Sequence, residues 1–211
     1  SLATSHTYGG GMLASTSIRK IKRWKRMKMN KAKIQVDLID YMGDDLSVVN
    51  AARVSFHKES EWAEGSDWIF HLKDSDTKLI NYLAKHKHFS PFNHTFISVR
   101  VKAPVFVARQ LVKHRFMPWN EVSRRYVDEE PEFYFPDYWR KKAENIKQGS
   151  SEDEVYCSEE WMKAASYHTK TLAIMYSNML EAGVCAEQAR MLLPQNMMTE
   201  GIWSGTLGAF A

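Results

Sequence analysis

Only two cysteines, Cys157 and Cys185, occur in 211 residues, and they form no CxxC pair. They read as ordinary thiols in a reducing, cytoplasmic compartment rather than as a disulfide framework. No stretch of 18 apolar residues free of charge exists, which excludes a membrane-spanning helix. No internal repeat or coiled-coil heptad is present, so a solenoid is excluded as well. Acidic residues are missing from one place in particular. Residues 18 to 33, IRKIKRWKRMKMNKAK, hold nine Lys or Arg and no Asp or Glu. Without those nine of the 29 basic residues, 20 remain against 25 acidic ones, a charge of −5. The net charge of +4 is therefore a property of the tail, and the body is mildly acidic.

What is present suits one globular domain: 44% hydrophobic and 12% aromatic residues, enough to bury a core without disulfides. The opening SLATSHTYGGGMLASTS carries no Lys, Arg, Asp or Glu, and residues 1–28 read as a leader outside the folded domain. Met27 or Met29 reads as the natural start, and residues 29–211 as the domain. IQVDLIDY (34–41) alternates like a half-buried strand, and DDLSVVNAARVSF suits a short helix opened by Asp. Residues 57–73 read as a loop, DSDTKLINYLAKHKH as a capped helix and HTFISVRVKA as a strand. Pro104 opens a helix expected to run to Arg115. Residues 151–182 read as one long helix stopped by Gly183, and CAEQARMLL as another, stopped by Pro194. MMTEGIWSGTLGAFA reads as a helix that runs out without a breaker, as if cut in mid-element. The sum is an α+β fold, a mixed sheet packed with long helices.

The densest chemistry lies in RQLVKHRFMPWNEVSRRYVDEEPEFYFP, residues 109–136. Five Lys or Arg fall within residues 109–126, interleaved with Phe116, Met117, Trp119 and Tyr126. On a helix reaching Arg115, Gln110, Lys113 and His114 share one face, with apolar Val107, Leu111 and Val112 opposite. Cations there are also ordinary helix capping. The continuation Asn120, Glu121, Ser123 and Arg125 lacks apolar periodicity, so its polar groups need partners. Arg and Lys suit phosphates, the amide, carboxylate and hydroxyl groups suit a planar base, and Trp119 and Tyr126 offer stacking faces. The residues point to a nucleotide or dinucleotide site, without naming a reaction.

KHRFMPWNEVSRRY resembles the signature of the flavin-dependent thymidylate synthases, Arg-His-Arg, seven residues, then Ser. His114 and Arg115 match, seven residues intervene, and Ser123 falls in register. MGDDLSVVNAARVSF, HFSPFNHTFISVRVKAPVFVARQ, EFYFP and ARMLLPQNMMTEGIW resemble the same family, so the likeness covers residues 34–210. It implies an FAD enzyme that makes dTMP from dUMP, with 5,10-methylenetetrahydrofolate and NADPH as co-substrates. It further implies a homotetramer with shared active sites. Carried over, Lys113, His114 and Arg115 would contact FAD, with Ser55, Ser90 and Glu121 near it, and His88 by the flavin ring and the folate. Gln110, Lys113, Glu121, Val122, Ser123, Arg124 and Arg125 would bind dUMP, and Arg190 would reach it from another subunit. No catalytic residue is assigned, because the family's ring-ionising arginine is expected beyond Ala211.

Lys113 departs from the signature: lysine keeps the charge but not the planar bidentate fork of arginine. A chain ending at Ala211 is expected to bind FAD weakly and turn over little. Cys157 and Cys185 lie far from the basic stretch, unlike the nucleophilic thiol of a non-flavin thymidylate synthase. Other readings are a catalytically silent homologue and a protein binding nucleic acid through residues 18–33, against a solvated tail. His86, His88 and His94 in HKHFSPFNH suggest a metal cluster, but no Cys or carboxylate stands at ligand spacing and a helix end explains them better. No metal is expected.

Overall fold

The computed structural model describes residues 30–65, 69–124, 130–144 and 149–210. The expected leader at 1–28 lies outside them, as do Arg125 and Tyr126. In chain order come β1 (Asn30–Lys31), β2 (Gln35–Met42), α1 (Asp45–Arg53), β3 (Ala63–Glu64), β4 (Phe70–His71) and α2 (Asp74–Lys85). Next are β5 (Phe96–Pro104), α3 (Val105–Leu111), β6 (Trp119–Glu121), β7 (Glu132–Phe133), β8 (Arg140–Lys142) and β9 (Ser150–Glu154). The last are α4 (Ser158–Glu181), α5 (Ala186–Ala189), β10 (Met198–Thr206) and α6 (Leu207–Phe210). The largest sheet is antiparallel, without parallel βαβ crossovers, as in an α+β fold. The described residues form two compact units interleaved in sequence: residues 30–31 with 130–194, and residues 32–124 with 195–210.

The second unit is built on an antiparallel sheet of order β2-β5-β10-β6. Side chains alternate across it, so Thr199, Gly201, Trp203 and Gly205 of β10 share a face with Ala103, Val101, Val99 and Ile97 of β5. Trp119 and Glu121 of β6 join that face, opposite Trp203 and Gly201. On the other face the Ser204 hydroxyl meets that of Ser98 at 2.9 Å, and Arg100 pairs with Glu200 at 2.8 Å. Between Leu38 and Asp40 the β2 register shifts by one residue. That bulge keeps Asp37 and Asp40 together on the polar face and Val36, Leu38 and Tyr41 on the other. Buried Val48, Val49, Leu83, Val101, Ala103, Ala108, Met117 and Met198 make the core. Burying one Val contributes about 1.5–3 kcal/mol.

The ends of the helices follow local chemistry. Asp44 caps α1 in a capping box: its carboxylate accepts from the Ser47 amide at 2.8 Å, and Ser47 Oγ accepts from the Asp44 amide at 3.1 Å. Helix α4 ends as its sequence indicates, with Gly183 at φ 87° and the Val184 amide reaching the Met179 carbonyl. Helix α2 ends in the same motif, the Lys87 amide on the Ala84 carbonyl and the His88 amide on that of Leu83. Here the left-handed position, φ 57°, is filled by Lys87. Its Cβ costs about 1–2 kcal/mol there, and glycine would return about 0.5–1 kcal/mol of that as unfolded-state entropy. Lys87→Gly is therefore expected to raise stability by about 0.5 kcal/mol. A urea titration checks it, and a lower midpoint would show that the Lys87 side chain is stabilising the turn.

Four expectations are corrected. MMTEGIWSGTLGAFA is not one helix: Met198–Thr206 is the strand β10, paired with β5 along its whole length and with β6, and only Leu207–Phe210 is helical. The strand's period of two was masked by Gly201 and Gly205, which contribute no apolar side chain. Residues 151–182 are not one helix, because Ser150–Glu154 forms β9 and only Ser158–Glu181 is helical. Opposite charges explain this, Arg140 of β8 standing across from Glu154. Helix α3 stops at Leu111 rather than near Arg115, and Pro104 is its N-cap. The 57–73 loop holds the short β3–β4 hairpin. In the first unit β1 pairs parallel with β7, Phe133 is 1% exposed, and the Ser158 hydroxyl accepts from the Trp139 amide at 2.9 Å.

Candidate functional site

Beyond Leu111 the chain leaves the helix in a turn, the Lys113 amide reaching the Gln110 carbonyl and the His114 amide that of Leu111. Met117, 3% exposed, anchors the turn in the core. Lys113, His114, Arg115 and Phe116 stay at the surface, Phe116 with 83% of its area exposed. Lys113 Nζ donates to Gln110 Oε1 at 3.2 Å, so those two do meet, in a turn rather than along a helix face. Lys113, His114 and Arg115 form no salt bridge with a carboxylate among the described residues. The His114 ring stands edge-on to Trp203 of β10, centroids 5.9 Å apart. Trp203 in turn meets Phe210 of α6 at 5.0 Å. Its indole Nε1 is buried and has no hydrogen-bond partner among the described residues.

The continuation is more ordered than its sequence suggests. Trp119–Glu121 is a sheet strand, with the Val122 amide on the Glu200 carbonyl and the Ser204 amide on that of Pro118. Its backbone groups find partners in β10. The Glu121 carboxylate accepts from Thr199 Oγ1 at 2.5 Å on one oxygen and from Trp119 Nε1 at 3.1 Å on the other. Val122 is exposed, and Ser123 and Arg124 are half-buried.

Ser55, His88 and Ser90 are exposed and belong to the same unit. Ser55 lies in the 3-10 turn Val54–Phe56 that follows α1. His88 follows the left-handed Lys87, and the Tyr82 ring lies 4.3 Å from that of His86 and 6.2 Å from that of His88. Ser90 opens the 3-10 turn Ser90–His94, against which α1 and α6 pack. Thr206 at the end of β10 donates to Asn93 Oδ1 of that turn at 2.8 Å. Strand β10 thus connects the turn of Ser90 to the turn of His114. Arg190, exposed, lies in the other unit.

Sequence reasoning passed over Thr199, Trp203 and the trio Arg53, Ser60 and Asp76. Asp76 looked like one more acid in a helix first turn, but it is fully buried and accepts from Arg53 Nε at 3.1 Å and from Ser60 Oγ. Burial alone would raise its pKa, but the Ser60 hydroxyl and the Arg53 guanidinium together hold it below the ordinary carboxylate value. No local signal marked Thr199 and Trp203, because Gly201 and Gly205 mask the period of residues 198–206. Among the described residues no cluster of His, Cys, Asp and Glu suits a metal ion, and no helix is long and apolar enough to cross a membrane.

Comparison with known proteins bears on this arrangement. Residues 37–211 match the family described as Thymidylate synthase complementing protein. A flavin-dependent thymidylate synthase from Thermus thermophilus is 40% identical over 172 residues, 82% of this chain and 59% of that protein. One from Thermosipho melanesiensis is 38% identical over 168 residues, covering 79% of this chain and 69% of the relative. The chain thus spans about three fifths of the length of the first and about two thirds of the second. A solved structure of a UMP/dUMP methylase PolB from Streptomyces cacaoi, bound with 5-Br dUMP, superposes with a TM-score of 0.70 at 29% identity. It covers 86% of this chain and 77% of that one. The signature Lys113-His114-Arg115 to Ser123, the strand that backs it and these matches agree, and the chain belongs to the flavin-dependent thymidylate synthase family.

Proposed function

We propose that the protein methylates dUMP to dTMP with 5,10-methylenetetrahydrofolate as carbon donor, using FAD reduced by NADPH. The observation that carries this is the use of one face of β10 to back both halves of the signature, Trp203 against His114 and Thr199 against Glu121. The residues present fit a flavin dinucleotide. Three successive donors without carboxylate partners among the described residues suit its diphosphate, exposed Phe116 offers an apolar surface, and behind His114 lies Nε1 of Trp203, which has no partner among the described residues. Lys113, His114 and Arg115 would hold it, with Ser55, Ser90, Glu121 and His88 around it. When bound, the reduced flavin supplies the hydride that converts a transferred methylene to a methyl group.

The chain's own residues bind and orient. Gln110, Lys113, Glu121, Val122, Ser123, Arg124 and Arg125 take dUMP, the cations at its phosphate and the hydrogen-bonding groups at its base and sugar. Ser123 serves as a hydrogen-bonding group, since no sequence motif supplies it with an activating His or Asp. Arg190 arrives from a neighbouring subunit of a homotetramer. Support for assembly comes from the edge strand β2, where Val36, Leu38, Tyr41 and Met42 are each 60–65% exposed. The reaction is placed in the cytoplasm.

A titration with FAD, with and without dUMP, followed by visible absorbance and flavin fluorescence, tests the proposal. Saturable binding tightened by dUMP is expected. His114→Ala should weaken FAD by about tenfold or more, the worth of a hydrogen bond to a charged group, while the melting temperature holds. Absence of FAD uptake by the parent protein would sink the proposal.

A further inference from the structure

We infer that Thr199 and Trp119 are positioning residues for dUMP, acting through the carboxylate of Glu121. The inference rests on the proposed role of Glu121 at the nucleotide. Glu121 is an exposed side chain whose two oxygens are nevertheless both engaged, one by Thr199 Oγ1 at 2.5 Å and one by Trp119 Nε1 at 3.1 Å. Thr199 is only 9% exposed, so an inner group fixes an outer one. Glutamate confined to one rotamer has already lost up to about 2 kcal/mol of side-chain freedom, which a ligand then need not take from its own binding energy. An ionised carboxylate has about four acceptor positions. Two are used here, and the others remain for a donor on the nucleotide, the N3–H of uracil or the 3′-hydroxyl.

The geometry around this pair is cut to fit. Glu121 stands opposite Gly201, and Thr199 lies on its diagonal, two residues along β10. At Gly201 an added Cβ would come within 2.6 Å of Trp119 Cζ2 and 2.8 Å of the Asn120 carbonyl oxygen. The indole can lie over Gly201 and reach Glu121, two residues along its own strand, only because Gly201 has no side chain. A purely structural role, tying β6 to β10, is already filled by the amides of Val122 and Ser204. The carboxylate contacts order a surface group that the sheet itself does not need.

Thr199→Val keeps the shape and removes the donor, whereas Thr199→Ser keeps the donor. In the FAD-loaded protein, calorimetric titration with dUMP should show about tenfold weaker binding for Thr199→Val. The Ser variant should bind within about twofold of the parent. The ligand-free melting temperature should stay unchanged in both, and FAD affinity, to which Glu121 also contributes, should change by less than dUMP affinity. Unaltered dUMP binding by Thr199→Val would overturn the inference, and so would a parallel loss of FAD, dUMP and melting temperature, the mark of a structural role. Glu121→Gln separates the two layers. If it leaves dUMP binding intact in a parent that binds FAD and dUMP, the inference fails and the proposed function stands. A parent that takes up neither ligand ends both.

Discussion

Asp76→Ala is expected to destabilise the protein by about 2–3 kcal/mol in a denaturant titration at neutral pH. The carboxylate is fully buried and satisfies Arg53 of α1 and Ser60 of the following loop. It is thus a single acceptor that joins α2 to the corner of α1. Removing it leaves a guanidinium and a hydroxyl without their acceptor. The Arg53 side chain keeps 25% of its area exposed, so water recovers part of the loss. That places the cost below the 3–5 kcal/mol or so of a wholly buried charge left alone. The folded-state pKa of Asp76 lies below its ordinary value of 3.8. Its stabilising contribution is therefore complete above about pH 4 and lost as the pH falls through the lower, folded-state pKa. Acid unfolding of the parent should show that loss, and Asp76→Ala should flatten it. Equal stability of variant and parent at pH 7 would mean that water replaces the carboxylate fully. On the proposed placement of Ser55 beside FAD, in the turn directly after Arg53, the variant should also weaken FAD binding.

Gly201→Val is expected to cost about 2–3 kcal/mol and to unseat β6. Even a single added carbon meets the Trp119 ring at 2.6 Å and the Asn120 carbonyl oxygen at 2.8 Å. A side chain at the end of a flexible stem would turn aside, but the carbonyl is backbone within the strand. Relief thus requires β6 to move away from β10, taking Trp119 and Glu121 with it. The amides of Val122 and Ser204, which bridge the two strands, should lose protection in hydrogen exchange. Those of β5, on the other side of β10, should keep it. Uniform protection would show that the indole has flipped outward and left the strand in place. The dUMP affinity should fall further than in Thr199→Val, because both positioning contacts to Glu121 go together.

Much of this was legible in the sequence where the signal was local. The alternation of residues 34–41 marked β2 as a strand, though its residues are all exposed rather than half-buried, and Asp44 before an apolar period marked the start of α1. Gly183 marked the end of α4, because glycine enters the left-handed region without a Cβ penalty. Failures arose where a distant segment decided the outcome. Residues 198–206 carry two glycines and a Trp, a composition with weak preference. Strands on both sides, β5 and β6, gave their backbone groups partners and made them central. Residues 150–154 are acidic enough for a helix start, but the basic strand β8 claimed them. The turn that ends α3 follows from Met117 being drawn into the core, which pulls the chain out of the helix after Leu111.

For the site the division is similar. Sequence alone determined the chemistry: a run of cations and hydrogen-bonding groups at 110–125, in the spacing of a flavin-dependent thymidylate synthase, and the family itself. Residue type and spacing are local properties, readable without knowing what lies across the sheet. Only the tertiary structure decided what holds those groups still. Thr199 lies 78 positions from Glu121, and Trp203 lies 89 from His114. Strand pairing brings them within hydrogen-bond or ring contact, through a register that no local preference encodes.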